Sequence, residues 1–236
     1  MFKLIQRKGL LFYLSSLLIL IILVIYLIFS VLKWNEKKIN TITITGQLTH
    51  VSKKNIELSV KKQLKNIGFF SVNVNKLKEN IEAKYSWIYQ AQITKKWPDI
   101  LNINVKEQEP YAIWNRKYIL NDYGEIFSSV GKDKYINLVK LDGPEKKELL
   151  VFKKYKILSS ILSHDSKQMK ILKVNCSEIN SWEVILNNKI LLYLGSDDLI
   201  KRFRRFIKIY PYILKQNKPI KYVDLRYKRG VAVGWR

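Results

Sequence analysis

The chain has few of the residues that build disulfide frameworks, metal sites or catalytic centres. It contains one cysteine, Cys176, and two histidines, His50 and His164. A single cysteine excludes an internal disulfide, so packed apolar cores must stabilise the folded parts. We predict that Cys176 is a buried small side chain rather than a nucleophile. Each histidine lies in a polar, turn-like segment without a second ligand at metal spacing, which predicts two surface residues and no metal site.

Motifs that carry catalysis are also absent from the sequence. It has no glycine-rich phosphate-binding loop, no His-Glu-x-x-His and no Gly-x-Ser-x-Gly motif. Glu107 and Glu109 have the spacing of a carboxylate pair on one side of a strand, but we expect both to end a strand in solvent. We therefore predict a protein that is not an enzyme and has no cofactor. A membrane-tethered enzyme acting on glycan or peptide is the alternative.

Acidic residues are scarce relative to basic ones, 19 against 43, which gives a formal net charge of +24 at pH 7. Such a charge invites a nucleic-acid interpretation. However, lysine, asparagine and isoleucine are abundant throughout the chain, and the basic residues lack interleaved aromatic residues or a recognised nucleic-acid motif. We therefore predict no nucleic-acid partner. The diffuse positive field favours contact with anionic lipid headgroups.

One long uncharged segment, residues 10–32, lies near the amino terminus. At about 1.5 Å per residue, a helix of this length spans roughly 34 Å, enough for the hydrocarbon core of a membrane. A cleaved signal peptide is the alternative, but its apolar region is shorter, about 7–15 residues, and ends in small residues that are missing here. We predict a single-pass anchor followed by a linker at residues 33–38. Residues 1–9 are expected in the cytoplasm, since Lys3, Arg7 and Lys8 precede the segment.

Residues 39–108 have the pattern of a small domain with β-α-α-β-β order. Residues 39–45 predict a strand, because threonine and isoleucine alternate from residue 41 to residue 45. Ser52 is a candidate N-cap for a helix with apolar residues at four-residue spacing, and Asn75 for a second, shorter helix. Two strands are expected at residues 88–95 and 100–107. Neither helix can bury its apolar stripe alone, so both are expected on one face of a three-stranded sheet.

Residues 109–236 predict a second domain of the α+β class in which short strands dominate. A helix is expected at about residues 148–163, and a second long helix after Ser196, its candidate N-cap. Strands are expected at residues 111–115, 118–120, 125–127, 171–174, 182–186, 190–194, 222–226 and 231–235. The charged side chains of the second helix fall mostly off its apolar stripe and predict a solvated face: Lys201, Arg202, Arg204, Arg205 and Lys208.

The last predicted strand is the feature of the sequence that points to binding. Val231, Val233 and Trp235 share one parity and are expected to face the core. A strand that pairs on one side only leaves the backbone N–H and C=O groups of its other side without partners. This strand carries neither the prolines nor the inward-pointing charges that usually protect an edge. We therefore predict that it accepts a strand from another protein.

Several motifs of the chain form a recognisable set. The tail reads Tyr222-Val223-Asp224-Leu225-Arg226-Tyr227, followed by Gly230 and then Ala232-Val233-Gly234-Trp235. Trp97-Pro98-Asp99, Glu107-x-x-Pro110 and the segments at residues 118–127 and 182–192 add to it. Together these motifs resemble the FtsQ/DivIB family of bitopic bacterial cell-division proteins, in its Gram-negative FtsQ form. The resemblance extends from the uncharged segment to Trp235.

The resemblance implies an architecture and a role. The architecture is a short cytoplasmic tail, one transmembrane helix, a POTRA domain and a second β-rich domain, anchored in the inner membrane at the division septum. The role is that of a non-enzymatic scaffold that binds FtsB and, with it, FtsL, and so links early cytoplasmic division proteins to septal wall synthesis. A POTRA-bearing assembly chaperone is an alternative, but such proteins add repeated POTRA units or a barrel pattern, which this chain lacks.

The resemblance also implies which residues bind partners. A strand of FtsB is expected at the last strand and its turn, which comprise Arg226, Tyr227, Gly230, Val231, Ala232, Val233, Gly234 and Trp235. The guanidinium of Arg226 is expected to receive a partner carboxylate. Positions tied to recruitment by FtsK and other division proteins match Gln90, Ile93 and Lys95. The chain departs from the family at Arg229, where a small residue is common, and at Ile179-Asn180, which replaces a basic pair.

Overall fold

The chain folds as two compact units. The structure, a computed structural model, describes residues 2–35, 38–129, 135, 137–165 and 169–236. The units are Met1–Glu107 and Gln108–Arg236. Each has its own β-sheet and its own cluster of buried apolar side chains.

A long helix, α1 (Phe2–Asn35), opens the first unit. Its described side chains between residues 15 and 31 are mostly apolar and almost all exposed. The helix continues through residues 33–35, which the sequence pattern assigned to a linker. Residues 36 and 37 of that linker, and the side chains of residues 10–14 and 32, lie outside the description. Within the described residues, no helix combines the length and the apolar character that crossing a membrane requires.

The rest of the first unit has the predicted β-α-α-β-β order. Its elements are β1 (Thr41–Thr45), α2 (Lys53–Leu64), α3 (Val74–Lys84), β2 (Ile88–Lys96) and β3 (Ile100–Glu107). β3 is the central strand of a three-stranded sheet, parallel to β1 and antiparallel to β2. The stripes of both helices and one face of the sheet share a core formed by Ile56, Val60, Leu77, Ile81, Ile88, Ala91, Leu101, Ile103 and Val105.

Helix α3 begins at a different residue from the one predicted. Asn73 is its N-cap, with an extended backbone (φ −84°, ψ 101°), and its side-chain oxygen accepts a hydrogen bond from the N–H of Lys76 at 3.0 Å. An N-cap residue stays extended so that its side chain can reach the N–H of the second or third helical residue. Asn75 already lies inside α3, so the prediction of Asn75 as the cap was wrong.

Glu107 binds a loop of the first unit. The sequence pattern had predicted that its side chain lies in solvent, and that prediction was wrong. Its side chain is only 9% exposed. One carboxylate oxygen accepts from the N–H groups of His50 and Val51, each at 2.9 Å, and the other from the N–H and hydroxyl of Thr49, at 3.0 and 2.9 Å. Burial raises the carboxyl pKa, but these donors outweigh burial and lower the pKa from 4.5 to about 2. The ring of His50 stacks on that of Trp87, with centroids 3.6 Å apart.

The second unit is built on one nine-stranded sheet. Its elements are β4 (Ala112–Trp114), β5 (Tyr118–Leu120), β6 (Ile126–Ser129), β7 (Val139–Asp142), α4 (Glu148–Asp165), β8 (Ile171–Cys176), β9 (Trp182–Leu186), β10 (Leu191–Gly195), α5 (Leu199–Leu214), β11 (Ile220–Asp224) and β12 (Ala232–Trp235). The strand order is β12-β11-β10-β9-β8-β7-β4-β5-β6. β7 was not among the predicted strands.

Helices α4 and α5 share the core of the second unit with the sheet. Phe203 and Phe206, from the predicted stripe of α5, are fully buried there. Cys176 is buried too, as predicted. The N-cap of α5 is Asp198, in the left-handed conformation (φ 49°). The predicted cap, Ser196, lies two residues before this position, so that prediction was wrong. These packed helices determine where the last strands of the sheet lie.

Replacing Glu107 with glutamine should destabilise the first unit at neutral pH. The folded pKa of about 2 lies below the ordinary value of 4.5, so the carboxylate contributes stability above about pH 4.5 that is lost as the pH falls towards 2. Glutamine keeps an acceptor oxygen but loses the charge. We expect a loss of about 1–3 kcal/mol at pH 7 and a weaker dependence on pH in acid, measured by urea unfolding of a fragment spanning residues 36–110.

Glu109→Gln is the matched control, since Glu109 is exposed. This change should leave the urea midpoint of the fragment unchanged. If the Glu107→Gln fragment lost stability in acid as steeply as the unsubstituted fragment, the role assigned to the Glu107 carboxylate would be contradicted.

Candidate functional site

The last strand, β12, lies at one edge of the nine-stranded sheet, as predicted. It pairs antiparallel with β11, with Val233 opposite Val223 and Gly234 opposite Tyr222. No other strand in the described part of the chain pairs with it. Alternate residues of a strand direct their N–H and C=O groups to opposite sides. Two of the four residues of β12 therefore direct these groups away from the sheet.

The two faces of β12 have different surroundings. Val231, just before the strand, and Val233 and Trp235 pack partly buried against the core, as their parity predicts. On the other face, a Cβ atom added at Gly234 would overlap the ring of Tyr222 on the neighbouring strand. That ring makes an edge-to-face contact with Tyr193 on β10, with centroids 5.7 Å apart. Gly234 is therefore required by close packing of an aromatic ring across the strands.

Arg226 already binds a carboxylate of its own chain. Its Nε lies 2.9 Å from Oδ1 of Asp224 and its Nη2 lies 2.6 Å from Oδ2. The backbone N–H of Arg226 also donates to Oδ1, at 3.0 Å. The hydrogen bonds from Arg226 lower the pKa of the Asp224 carboxyl, although burial acts in the opposite direction. Arg226 follows β11 and is exposed. Its contact with a partner carboxylate stays a prediction, and a partner would meet a guanidinium that already binds Asp224.

The turn between β11 and β12 is exposed, and one arginine of α5 holds it. Residues 226–230 are all exposed, with Tyr227 57% exposed. The guanidinium of Arg205 donates to the carbonyl oxygens of Leu225, Tyr227 and Lys228. The prediction that the basic residues of α5 form only a solvated face was therefore wrong for Arg205. It was also wrong for Arg202, which donates to the carbonyl of Leu194.

Two family profiles match the chain. The profile described as "POTRA domain, FtsQ-type" matches residues 37–108, and the profile described as "Cell division protein FtsQ/DivIB, C-terminal" matches residues 112–226. The chain belongs to the FtsQ/DivIB family. Its first unit therefore contains a POTRA domain of the FtsQ type. The second profile ends at Arg226 and does not include β12.

Similar proteins support the same assignment, and each is named "Cell division protein FtsQ". The one from Shewanella oneidensis is 34% identical over 197 residues, which cover 84% of this chain and 74% of that protein. The Escherichia coli (strain K12) protein is 33% identical over 215 residues, covering 87% and 77%. The Blochmanniella floridana protein is 31% identical over 235 residues, covering 92% and 84%. This member of the FtsQ/DivIB family is therefore a cell-division protein.

The predicted recruitment residues of this FtsQ/DivIB member lie on β2, at an edge of the POTRA sheet. Gln90 is exposed, whereas Ile93 and Lys95 are half-buried. The ammonium of Lys95 donates to the carbonyl oxygens of Phe69 and Phe70, at 3.0 and 3.1 Å. Lys95 therefore ties the segment after α2 to the sheet, and replacing it would disturb the fold of the domain as well as its surface.

The two departures from the family pattern lie on the surface of the second unit. Ile179, in the turn between β8 and β9, is 80% exposed. Asn180 has a left-handed backbone (φ 57°), and its side-chain oxygen accepts from the ammonium of Lys147 at 2.7 Å. Lys147 thus places a positive charge beside the turn. Arg229 is exposed in the turn before β12.

Gly234→Ala should destabilise the second unit, because the new methyl group would force the ring of Tyr222 to move. Overpacking of this kind costs about 1–3 kcal/mol. The matched control is Gly230→Ala, since no heavy atom lies within 4 Å of a Cβ at that position, and we expect it to be neutral. Thermal unfolding of both variants tests the difference. Equal stability of the two variants would contradict the packing assigned to Gly234.

Proposed function

We propose that this protein is a non-enzymatic, membrane-anchored scaffold of the bacterial division machinery, and that β12 binds an extended segment of a partner by strand addition. The proposed partner is FtsB, with FtsL bound alongside it, which links early cytoplasmic division proteins to septal wall synthesis. The observation that carries the proposal is the position of β12, which pairs with β11 on one side and with no described strand on the other.

Anchoring in the inner membrane is supported by the uncharged residues 10–32. Their length suits the hydrocarbon core, and they lie within α1. In this arrangement residues 1–9 face the cytoplasm and both folded units face the periplasm at the septum. The anchor then keeps β12 close to partners that are themselves bound to the same membrane, which raises their effective concentration.

Strand addition alone supplies a modest free energy. Two outward-facing residues of β12 offer two donors and two acceptors, and four hydrogen bonds at about 0.5–1.5 kcal/mol each total about 2–6 kcal/mol. Submicromolar binding needs more than about 8 kcal/mol. Side chains must supply the remainder, and the exposed ring of Tyr227 and the half-buried ring of Trp235 are the large apolar groups next to this edge. The partner segment is therefore expected to carry an apolar side chain at this position.

The charge around the edge favours an acidic partner. Lys228, Arg229 and Arg236 are exposed on either side of β12, and complementary charge accelerates association. Arg226 is held by Asp224 through its Nε and Nη2 atoms. A partner carboxylate is therefore expected to bind beside this pair and to share Arg226 rather than to find it unpaired.

The POTRA domain offers a second proposed contact, through Gln90, Ile93 and Lys95 on β2. Recruitment by FtsK or other division proteins is proposed for this edge on the family resemblance. Exposed Gln90 is the suitable residue for testing it, since Lys95 is engaged with the backbone of the domain.

Proline substitutions at Ala232 and Val233, made one at a time, test strand addition. Adjacent residues direct their N–H groups to opposite sides, so one proline removes an outward donor and the other removes a donor to β11. The proline that removes the outward donor should leave the thermal unfolding temperature unchanged, since proline is tolerated at edge strands. Loss of one hydrogen bond weakens binding about two- to twelvefold, and the ring obstructs the incoming strand further. Pull-down and titration with the periplasmic segment of FtsB measure the loss.

Val233→Thr is the control for side-chain shape, because threonine keeps both the branching and the N–H group. It should bind as the parent protein does. The proposal fails if the proline variant of unchanged stability binds the FtsB segment with the parent affinity.

The cellular role is tested by the position of a fluorescent protein fused before residue 1 of the full chain. Because division partners assemble at the septum, we expect a midcell band in dividing cells. A uniform signal around the envelope would contradict the role in division, and release of product from purified cell wall by the folded units would contradict the non-enzymatic role.

A further inference from the structure

One guanidinium binds three carbonyl groups in the first half of the segment that joins β11 to β12. The Nη2 atom of Arg205 donates to the carbonyl oxygens of Leu225 at 2.6 Å and Tyr227 at 2.9 Å, and its Nη1 atom donates to that of Lys228 at 3.0 Å. Hydrogen bonds from a charged donor are shorter and stronger than those between neutral groups. Three of the four residues at 225–228 are therefore bound to a single side chain.

The support that carries Arg205 is itself rigidly placed. Phe203 and Phe206, on either side of it in α5, are fully buried. One turn earlier, Arg202 donates to the carbonyl oxygen of Leu194 near the end of β10, at 2.6 Å. β10 and β11 run parallel and end at the same side of the sheet. The helix thus presents two arginines to the carbonyl groups where these strands end, and the guanidinium of Arg205 can fix the turn.

Apart from the bonds of Arg205, the contacts that order the turn lie at its start, where Arg226 donates to the carboxylate of Asp224. Leu225 is fully buried, and its N–H donates to the carbonyl of Tyr193 at 2.9 Å. Beyond Leu225 the next five residues are exposed, and a Cβ at Gly230 would have no heavy atom within 4 Å. The order of the chain between the core and β12 therefore depends strongly on the three hydrogen bonds of Arg205.

We infer that Arg205 is a positioning residue for the β12 edge: it holds the turn so that β12 is already extended and in register before a partner strand arrives. The inference rests on the proposed function of β12. A preformed edge is ready to accept a strand, whereas an edge that must first become ordered binds more weakly by the fraction of molecules in which it is ordered.

The geometry also requires arginine at this position. The Nε atom of Arg205 is buried and has no hydrogen-bond partner among the described residues, so the two terminal nitrogens carry the whole interaction. Lysine has a single terminal nitrogen, which cannot reproduce a planar fork. Order in the turn is therefore expected to decrease from arginine to lysine to alanine at this position.

Hydrogen exchange in the full chain in detergent micelles, with no partner present, tests the positioning directly. Arg205→Ala should accelerate exchange of the amides at residues 226–235 by about tenfold or more, as expected for local opening, and leave the amides of β9 unchanged. Arg205→Lys should give an intermediate rate. Arg204→Ala is the matched control, because Arg204 is exposed on the same helix and its loss changes the net charge equally. It should exchange as the parent protein does.

Affinity for the FtsB segment, measured on the same variants, links order to binding. If only ordered molecules bind, the dissociation constant rises by the reciprocal of the ordered fraction that exchange reports. Arg205→Ala should therefore lose affinity by that factor, and Arg205→Lys by a smaller one. For a residue that only stabilised the fold, the dissociation constant would not change in proportion to the ordered fraction of residues 226–235.

The possible failures can be told apart. Unchanged exchange at residues 226–235 in Arg205→Ala overturns the inference whatever the affinity. Parent affinity also overturns it if exchange reports that residues 226–235 are ordered in less than half of the Arg205→Ala molecules, provided that the stability-neutral proline in β12 still weakens binding. If that proline leaves binding intact, the proposed function fails instead. Should Arg205→Ala unfold, which accelerated exchange in β9 would reveal, Arg205→Lys decides the outcome by the same criteria.

Discussion

The main constraint on this structure is that backbone groups at the edge of a sheet need hydrogen-bond partners. An N–H or C=O group without a partner costs free energy once water is excluded. The POTRA sheet meets this requirement at β2 with its own side chains: a carboxylate oxygen of Glu82 accepts from the N–H of Ala91 at 2.8 Å. In the described part of the chain, no side chain covers β12 in this manner. One donor of the β2 edge is therefore satisfied within the protein, whereas the outward groups of β12 are available for the proposed strand addition.

The same requirement explains the buried and half-buried charges of the chain. Glu107 accepts hydrogen bonds from the N–H groups of a loop beside the POTRA sheet. Arg202 and Arg205 donate to carbonyl groups where parallel strands end. Each charge binds backbone groups of a neighbouring segment, which lies 56–58 residues away for Glu107 and 8–23 residues away for the two arginines. The consequence for function is that both proposed binding edges belong to sheets whose neighbouring loops are fixed in place.

Local patterns in the sequence were sufficient for the order of the elements in the first unit and for all of those in the second unit except β7. Contacts between residues distant in sequence were not visible in these patterns. The alternating residues of β3 predicted that strand with its correct bounds, because alternation is a property of adjacent residues. The two wrong helix caps reflect competition between neighbouring candidates, Asn73 with Asn75 and Asp198 with Ser196. Glu107 was misread because its partners lie 56–58 residues away. The edge position of β12 was predicted correctly.

An open edge that is held in order creates a hazard, since two copies of the protein could pair through it. The chain limits this in two ways. β12 has only four residues, so self-pairing forms few hydrogen bonds. In addition, Lys228, Arg229 and Arg236 place exposed positive charge on both sides of it. Two such edges repel each other, whereas an acidic segment is attracted. For the proposed strand addition, repulsion of a second copy therefore adds to the specificity that attraction of an acidic segment supplies.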